Sequence, residues 1–247
     1  MKYDITEYVI PAAIPATLTA AVVADIHDEP YDEVFALIRK RGCVLILIPG
    51  DIFDGHRNTA KNSFRMLAEF QQYAPTFMSL GNHESVGYPE VCFAAKQAGI
   101  ELLEDRSVNF RGLRIGGQTS GYVREREHLN QNHFRETPVP DLDFLHRFAA
   151  EEGFKVLLNH HPEYYPRFVR ELPIDLTISG HAHGGQWRIF GHPVFAPGQK
   201  FFPKYAQGFH DGKFIVSRGL ANNGPAPRFG NRRELIFITF EAKAEKR

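Results

Sequence analysis

Short apolar runs with almost no polar interruption recur along the chain: AAVVA (20–24), CVLILI (43–48), FMSL (77–80), KVLLN (155–159) and LTIS (176–179). Runs this short suit strands, and strands that are apolar at nearly every residue must be covered on both faces. Between them lie segments with helical spacing, at 31–41, 58–74, 87–98, 141–152 and 163–171; in the first, Phe35, Leu37 and Ile38 group on one side. The alternation in the N-terminal half predicts βαβ units and a mainly parallel sheet. Further strands are expected at LRIGG (113–117), KFIVS (213–217) and ELIFITF (234–240). After about residue 185 strands dominate, which predicts a second, more antiparallel sheet packed on the first.

The chain has 247 residues, 43% of them hydrophobic, and shows no internal repeat, low-complexity tract or linker. One domain spanning 1–247 is therefore expected. Lys plus Arg and Asp plus Glu each total 29, so the formal net charge is zero. That argues against a broad nucleic-acid-binding surface and leaves room for a local positive pocket. Cys43 and Cys92 are too few for a disulfide framework. The apolar stretch 9–24 follows Asp4 and Glu7, is interrupted by Pro11 and Pro15, and reads as strand, turn and strand. It falls short of the roughly 20 residues of a membrane helix and lacks the basic lead of a signal peptide. A cytoplasmic location is expected, with peripheral membrane contact left open. Oligomeric state has no sequence signal. Residues 121–140 are charged and without periodicity, and read equally as a lid or as a solvated insertion.

Each clear strand breaks off into side chains able to bind a metal. Asp25 and His27 follow the first run, Asp51 and Asp54 the second, Asn82, His83 and Glu84 the third, His160 the fourth, His181 and His183 the fifth. Ligands of open α/β sheets bind beyond the carboxyl ends of strands. In Asp-x-His and His-x-His the two side chains share one side of an extended backbone. Glycines precede Asp51, Asn82 and His181 and permit tight turns with close backbone approach. Oxygen and imidazole donors without thiolates suit Mn, Fe, Zn, Co or Ni. Seven of these, Asp25, His27, Asp51, Asn82, His160, His181 and His183, are too many donors for one ion and suit two divalent metal ions sharing a carboxylate. Four metal charges, less two carboxylates and a hydroxide, leave positive charge for a phosphate group. At the fourth strand His160 competes with His161.

These blocks resemble the calcineurin-like metallophosphoesterase family, whose pattern D-x-H, G-D-x-x-D, G-N-H-D/E, H and G-H-x-H runs in order through residues 25–183. The string GHAHGGQ (180–186) and the segment 217–240 are similar to a bacterial branch of small phosphodiesterases. The resemblance implies an α/β fold, a four-layer αββα sandwich of two mixed β-sheets flanked by helices. It implies that Asp25, His27 and His183 hold one metal and Asn82, His160 and His181 the other, with Asp51 bridging. His160 is favoured over His161 because it stands two residues before Pro162. His83 would protonate the leaving oxygen, Glu84 would orient His83, and Asp54 would accept a hydrogen bond from a ligand histidine. The implied activity is phosphodiester or pyrophosphate hydrolysis by a metal-bridging hydroxide, manganese being one candidate ion. The alternatives are a phosphomonoesterase or a non-catalytic binding module. The substrate would be a small-molecule or lipid phosphoester. His56 and Arg57 could line the pocket, Arg228 could touch phosphate, and Gly184, Gly185 and Gln186 could shape the site.

Overall fold

The computed structural model describes residues 3–55, 60–125, 136–222 and 228–243. Along the chain, the first sheet takes β1 (Tyr3–Ala12), β2 (Leu18–Val22), β3 (Leu45–Ile48), β4 (Thr76–Met78) and β5 (Glu101–Leu102). The second takes β6 (Arg106–Phe110), β7 (Leu113–Gln118), β8 (Phe154–Asn159) and β9 (Leu176–Ser179). Two short ladders follow, β10 (Arg188–Ile189) with β11 (His192–Pro193) and β12 (Phe195–Ala196) with β13 (Lys200–Phe201). β14 (Gly208–His210) and β15 (Phe214–Val216) complete the second sheet, and β16 (Arg233–Ala242) returns to the first.

The sheet orders are β1-β16-β2-β3-β4-β5 and β14-β15-β9-β8-β7-β6. In the first, β2 to β5 run parallel, while β16 is antiparallel to β2 and parallel to β1. In the second, β7, β8, β9 and β15 run parallel and the edges β6 and β14 are antiparallel. Both sheets are mixed, as expected. The second differs from the expectation in two respects: it starts at residue 106, not near 185, and its centre is parallel. The apolar run at 234–240 marks a strand, but no local pattern says which sheet that strand joins.

Period-two alternation sorts the strands onto two faces. Ala20, Val22, Leu45 and Leu47 point inward with Val156, Leu158, Leu176 and Ile178 and form the layer between the sheets. Ala21, Ile46, Ile48 and Met78 point the other way, against helices α1 (Asp32–Arg41), α2 (Lys61–Tyr73) and α3 (Tyr88–Ala98). Leu157, Phe214 and Val216 face Phe144, Leu145 and Phe148, brought by a later helix. The result is helices, sheet, sheet, helices. Each fully buried Leu or Ile contributes about 1.5–3 kcal/mol.

The helices obey their local signals. α1 carries Asp32 and Glu33 in its first turn and Arg39, Lys40 and Arg41 in its last, matching the helix dipole, and ends where Gly42 turns left-handed at φ 71°. A short α4 (Gly121–Arg124) starts at Ser120, whose side chain accepts from Tyr122 N–H. α5 (Leu142–Ala149) is capped by Asp141, which accepts from Phe144 N–H at 2.9 Å. The helix expected at 163–171 is a single π turn, Tyr165–Val169. Pro166 has no N–H to offer, and the closing bond runs from Arg170 N–H to Tyr165 O at 2.8 Å, one residue wider than in an α-helix. Among the described residues, no helix is long and apolar enough to cross a membrane.

Candidate metal centre

The parallel strands β2, β3 and β4 of one sheet and β8 and β9 of the other end at a common edge, and their loops keep bonding to each other beyond it. Asp25 N–H donates to Gly50 O at 3.2 Å, and Ile26 and His27 N–H donate to Asp51 O at 2.9 and 3.2 Å. Gly180 N–H donates to His160 O at 3.1 Å, and Ala221 N–H, beyond β15, donates to Asp25 O at 2.8 Å. Within this frame Asp25, His27, Asp51, His181 and His183 all adopt positive φ, from 47° to 65°. Each such non-glycine residue costs on the order of 1–2 kcal/mol, so five in one site mark a constraint that the cross-bonded loops must enforce.

Close approach explains two of the glycines. A Cβ on Gly81 would collide with the Asp51 carboxylate, and one on Gly180 would stand 2.5 Å from Asp25 Oδ2. Gly184 and Gly185 have φ of 67° and 80°; Cβ atoms there would strike Asn231 and Pro193, so these two glycines seat the following hairpin rather than face the centre.

The side chains converge as two groups. Asp25, His27 and His183 form one, and Asp51, His160 and His181 the other; within each, the donor atoms lie within 4.8 Å of one another. Asp51 Oδ2 sits between them, 3.9 Å from His27 Nε2 and 3.0 Å from His160 Nε2. Asp25 Oδ1 is 3.6 Å from His183 Nε2 and 4.0 Å from His160 Nε2. All six are buried, as is Asn82.

Their hydrogen bonding shows that they are not satisfied by each other. Asp25 Oδ2, Asn82 Oδ1, His27 Nδ1 and both ring nitrogens of His160 lack a hydrogen-bond partner among the described residues. Each such buried group costs about 1–3 kcal/mol. His160 and Asp51 are close but not aligned for a hydrogen bond, as expected of groups aimed at a shared point. Cations between them would satisfy these atoms, so the residues present fit bound divalent metal.

Electrostatics keeps three of the four candidate ligand histidines neutral. Burial, with His83 adjacent, pushes His27 down to about 3, and burial drives His181 and His183 well below the ordinary histidine range. Neutral imidazole is the form that binds metal. Burial opposes charge on His160 too, but Asp51 and Asp25 outweigh it and lift it to about 9. Burial, reinforced by Asp51, raises Asp25 to about 6.

His83 lies at the rim of both groups, its ring 4.4 Å from that of His27 and its Nε2 4.0 Å from Asp51 Oδ2. Gly55 N–H donates to its Nδ1 at 3.0 Å, which leaves the ring's own proton on Nε2. Burial disfavours its charge, yet Asp51 and Asp54 raise its pKa. Asp54 Oδ1 stands 3.7 Å from His83 Nδ1, and Asp54 groups with both His83 and the ligand candidate His27, their donor atoms within 4.8 Å of one another. Glu84 is fully buried. Its carboxylate accepts N–H bonds from Asp51, Ile52, Phe53 and Gly81, at 2.8–3.2 Å, and so ties the second ligand loop to the third. Burial and Asp51 raise it to about 7.

Arg228 reaches the centre from behind: its guanidinium lies 3.1 Å from His183 Nδ1 and donates to Ala221 O, and burial lowers it to about 10. His161 is in none of the three groups that contain an aspartate, the third being His27, Asp54 and His83; it groups with Glu163 and His181. Its Nε2 pairs with Ser120 Oγ at 2.7 Å and its Nδ1 is 3.5 Å from Glu163. Glu163 is the residue that sequence reasoning missed. It is buried, bonded to Thr137, and within reach of His181; burial opposes its charge, but His161 and His181 hold it down to about 2. No local spacing points to it, because its partners come from distant segments. His56, Arg57 and residues 126–135 of the expected lid lie outside the described residues.

Known proteins resemble this chain across most of its length. An uncharacterized metallophosphoesterase of Campylobacter jejuni is 25% identical over 230 residues, covering 89% of this chain and 56% of that protein. One from Aquifex aeolicus is 25% identical over 205 residues, covering 81% and 73%. The uncharacterized protein YpbG of Bacillus subtilis is 24% identical over 227 residues, covering 90% and 80%. The chain thus spans little more than half the length of the Campylobacter relative. The model of the calcineurin-like phosphoesterase family matches residues 18–185, from the start of β2 to the glycines after His183, and the chain belongs to that family.

Proposed function

We propose that this chain hydrolyses phosphoester bonds using two divalent cations, and that its substrates are phosphodiesters or pyrophosphates. The observation that carries the reading is Asp51 Oδ2, which stands within 4.0 Å of ring nitrogens from His27, His160 and His83. One carboxylate oxygen thereby links both donor groups to the proton donor. Cations bound there would polarise phosphoryl oxygens and lower the pKa of a water molecule.

The chain's own groups supply the rest. Asp25, His27 and His183 would hold one cation, Asn82, His160 and His181 the other, with Asp51 shared. Glu84 fixes the spacing of the Asp51 and Asn82 loops through four backbone bonds. His83 keeps a proton on Nε2 at the edge of the pair, where it is placed to protonate a departing alkoxide. The resemblance of GHAHGGQ to small bacterial phosphodiesterases favours diesters over monoesters, and the oxygen and imidazole donors make Mn²⁺ the first ion to try.

The test is hydrolysis of bis(p-nitrophenyl) phosphate and of p-nitrophenyl phosphate by one preparation with Mn²⁺. Faster diester cleavage, abolished by EDTA and by Asp51→Asn, is expected. Faster monoester cleavage would make the chain a phosphomonoesterase. Two bound ions without cleavage of any phosphoester would leave a binding module.

A further inference from the structure

The chain beyond the ligand turn builds a small platform. Val194 N–H donates to Trp187 O and Phe202 N–H to Val194 O, both at 2.9 Å, which joins the β10–β11 and β12–β13 ladders. Arg188 N–H donates to Phe229 O at 2.8 Å and draws Phe229 into the same unit. The platform is seated on the metal centre: Gly185 lies against Pro193 with no room for a Cβ, and Asn231 Nδ2 donates to His183 O at 2.6 Å.

What crowns this platform is apolar. Ile189, Phe190, Phe201, Phe202 and Phe229 are exposed, Phe190 at 98%, Phe202 at 78% and Phe229 at 68%. Clustered exposure of this kind marks an interaction site. Phe190 and Phe202 also sit at φ of 49° and 53°, where a bulky residue is strained and Gly or Asn would be relaxed, so turn chemistry does not account for the aromatic rings. The charge pattern identifies the partner. From Leu176 to His210 the chain carries Arg188, Lys200 and Lys204 and no Asp or Glu, although its overall charge is zero. Aromatic rings flanked by cations, on a segment with no carboxylate of its own, match the headgroup region of an anionic bilayer. A two-fold contact with a second copy would set the same cations against each other.

We propose that this aromatic crown docks the protein on the surface of a membrane containing anionic lipid. The full chain would be sedimented with vesicles of phosphatidylcholine alone and with roughly one third phosphatidylglycerol. Binding to the anionic vesicles, weaker to the neutral ones and weakened by salt, is expected. Phe190→Ser with Phe202→Ser, both at exposed positions, should lower it about tenfold or more. Cleavage of the soluble aryl diester by this variant should be unchanged, so a failure of docking and a failure of the catalytic reading are told apart. No sedimentation with vesicles, or equal sedimentation of the variant, overturns the proposal. So does a wild-type dimer in light scattering that the variant converts to a monomer, which would assign the crown to a second copy.

Discussion

A methyl group at Gly180 perturbs one metal-binding group and leaves the rest of the chain alone. Gly180 is not among the glycines with positive φ, so alanine adds no backbone strain. The added Cβ would stand 2.5 Å from Asp25 Oδ2 and 3.1 Å from its Cγ. An ordinary contact is roughly 3.5 Å, so the carboxylate must retreat by about 0.5–1 Å. It has little room, because Oδ1 accepts His181 N–H at 2.9 Å and Asp25 Cβ packs against Gly219. Binding sites tolerate displacements of about 0.5 Å. Gly180→Ala is therefore expected to weaken the cation at Asp25, His27 and His183 by tenfold to a hundredfold, about 1.4–2.8 kcal/mol, and the overpacking to cost about 1–3 kcal/mol of stability. Calorimetric titration of EDTA-stripped protein with Mn²⁺ reads this directly. One affinity near wild type and one weakened, with activity restored at excess Mn²⁺, is the expected result. Two wild-type affinities in the variant would refute the placement of Asp25 Oδ2 on a metal.

Other expectations follow from separate parts of the molecule. His83→Ala should lower kcat about 10²–10⁴-fold while two ions stay bound, measured by single-preparation kinetics and metal analysis. Removing metal should lower Tm, and Mn²⁺ at about 100 times its Kd should restore about 2.7 kcal/mol, followed by calorimetric melting. Ile178→Ala, in the layer between the sheets, should cost about 2–5 kcal/mol in urea unfolding. Burial lifts Asp105 to about 6, above its unfolded value, so its ionised form weakens the fold. The contribution of Asp105 to stability therefore falls as pH rises from about 4 to 6. Asp105→Asn, a residue that also accepts the φ of 47°, should gain about 1–2 kcal/mol above pH 6 once partial exposure is discounted, and nothing at pH 4. Urea melts at both pH values check this.

The sequence carried the part of the fold that is written locally. Leu45–Ile48 is apolar on every residue because one face meets α1 and α2 and the other meets the second sheet, and that requirement is visible as VLILI. The donor residues were visible for the same reason: a chain leaving a buried strand passes the ligand edge at once, so Asp25, Asp51, Asn82, His160 and His181 follow apolar runs directly. Pairing was not visible. Nothing in ELIFITF says that β16 enters the first sheet between β1 and β2, since partner choice depends on residues more than 200 positions away. The four backbone N–H bonds to Glu84 were not visible either, because backbone groups have no signature in side-chain sequence. Glu163 and the contact of Arg228 with His183 depend on tertiary proximity alone. The aromatic crown was readable as residues and not as a surface, because exposure is set by what the two ladders leave uncovered.

The central claim is tested most directly by crystals grown with Mn²⁺ and measured for anomalous scattering. The account predicts two peaks about 3.5–4 Å apart, one among Asp25, His27 and His183, one among Asn82, His160 and His181, with Asp51 between them. A single peak, or manganese bound away from these side chains, would contradict it.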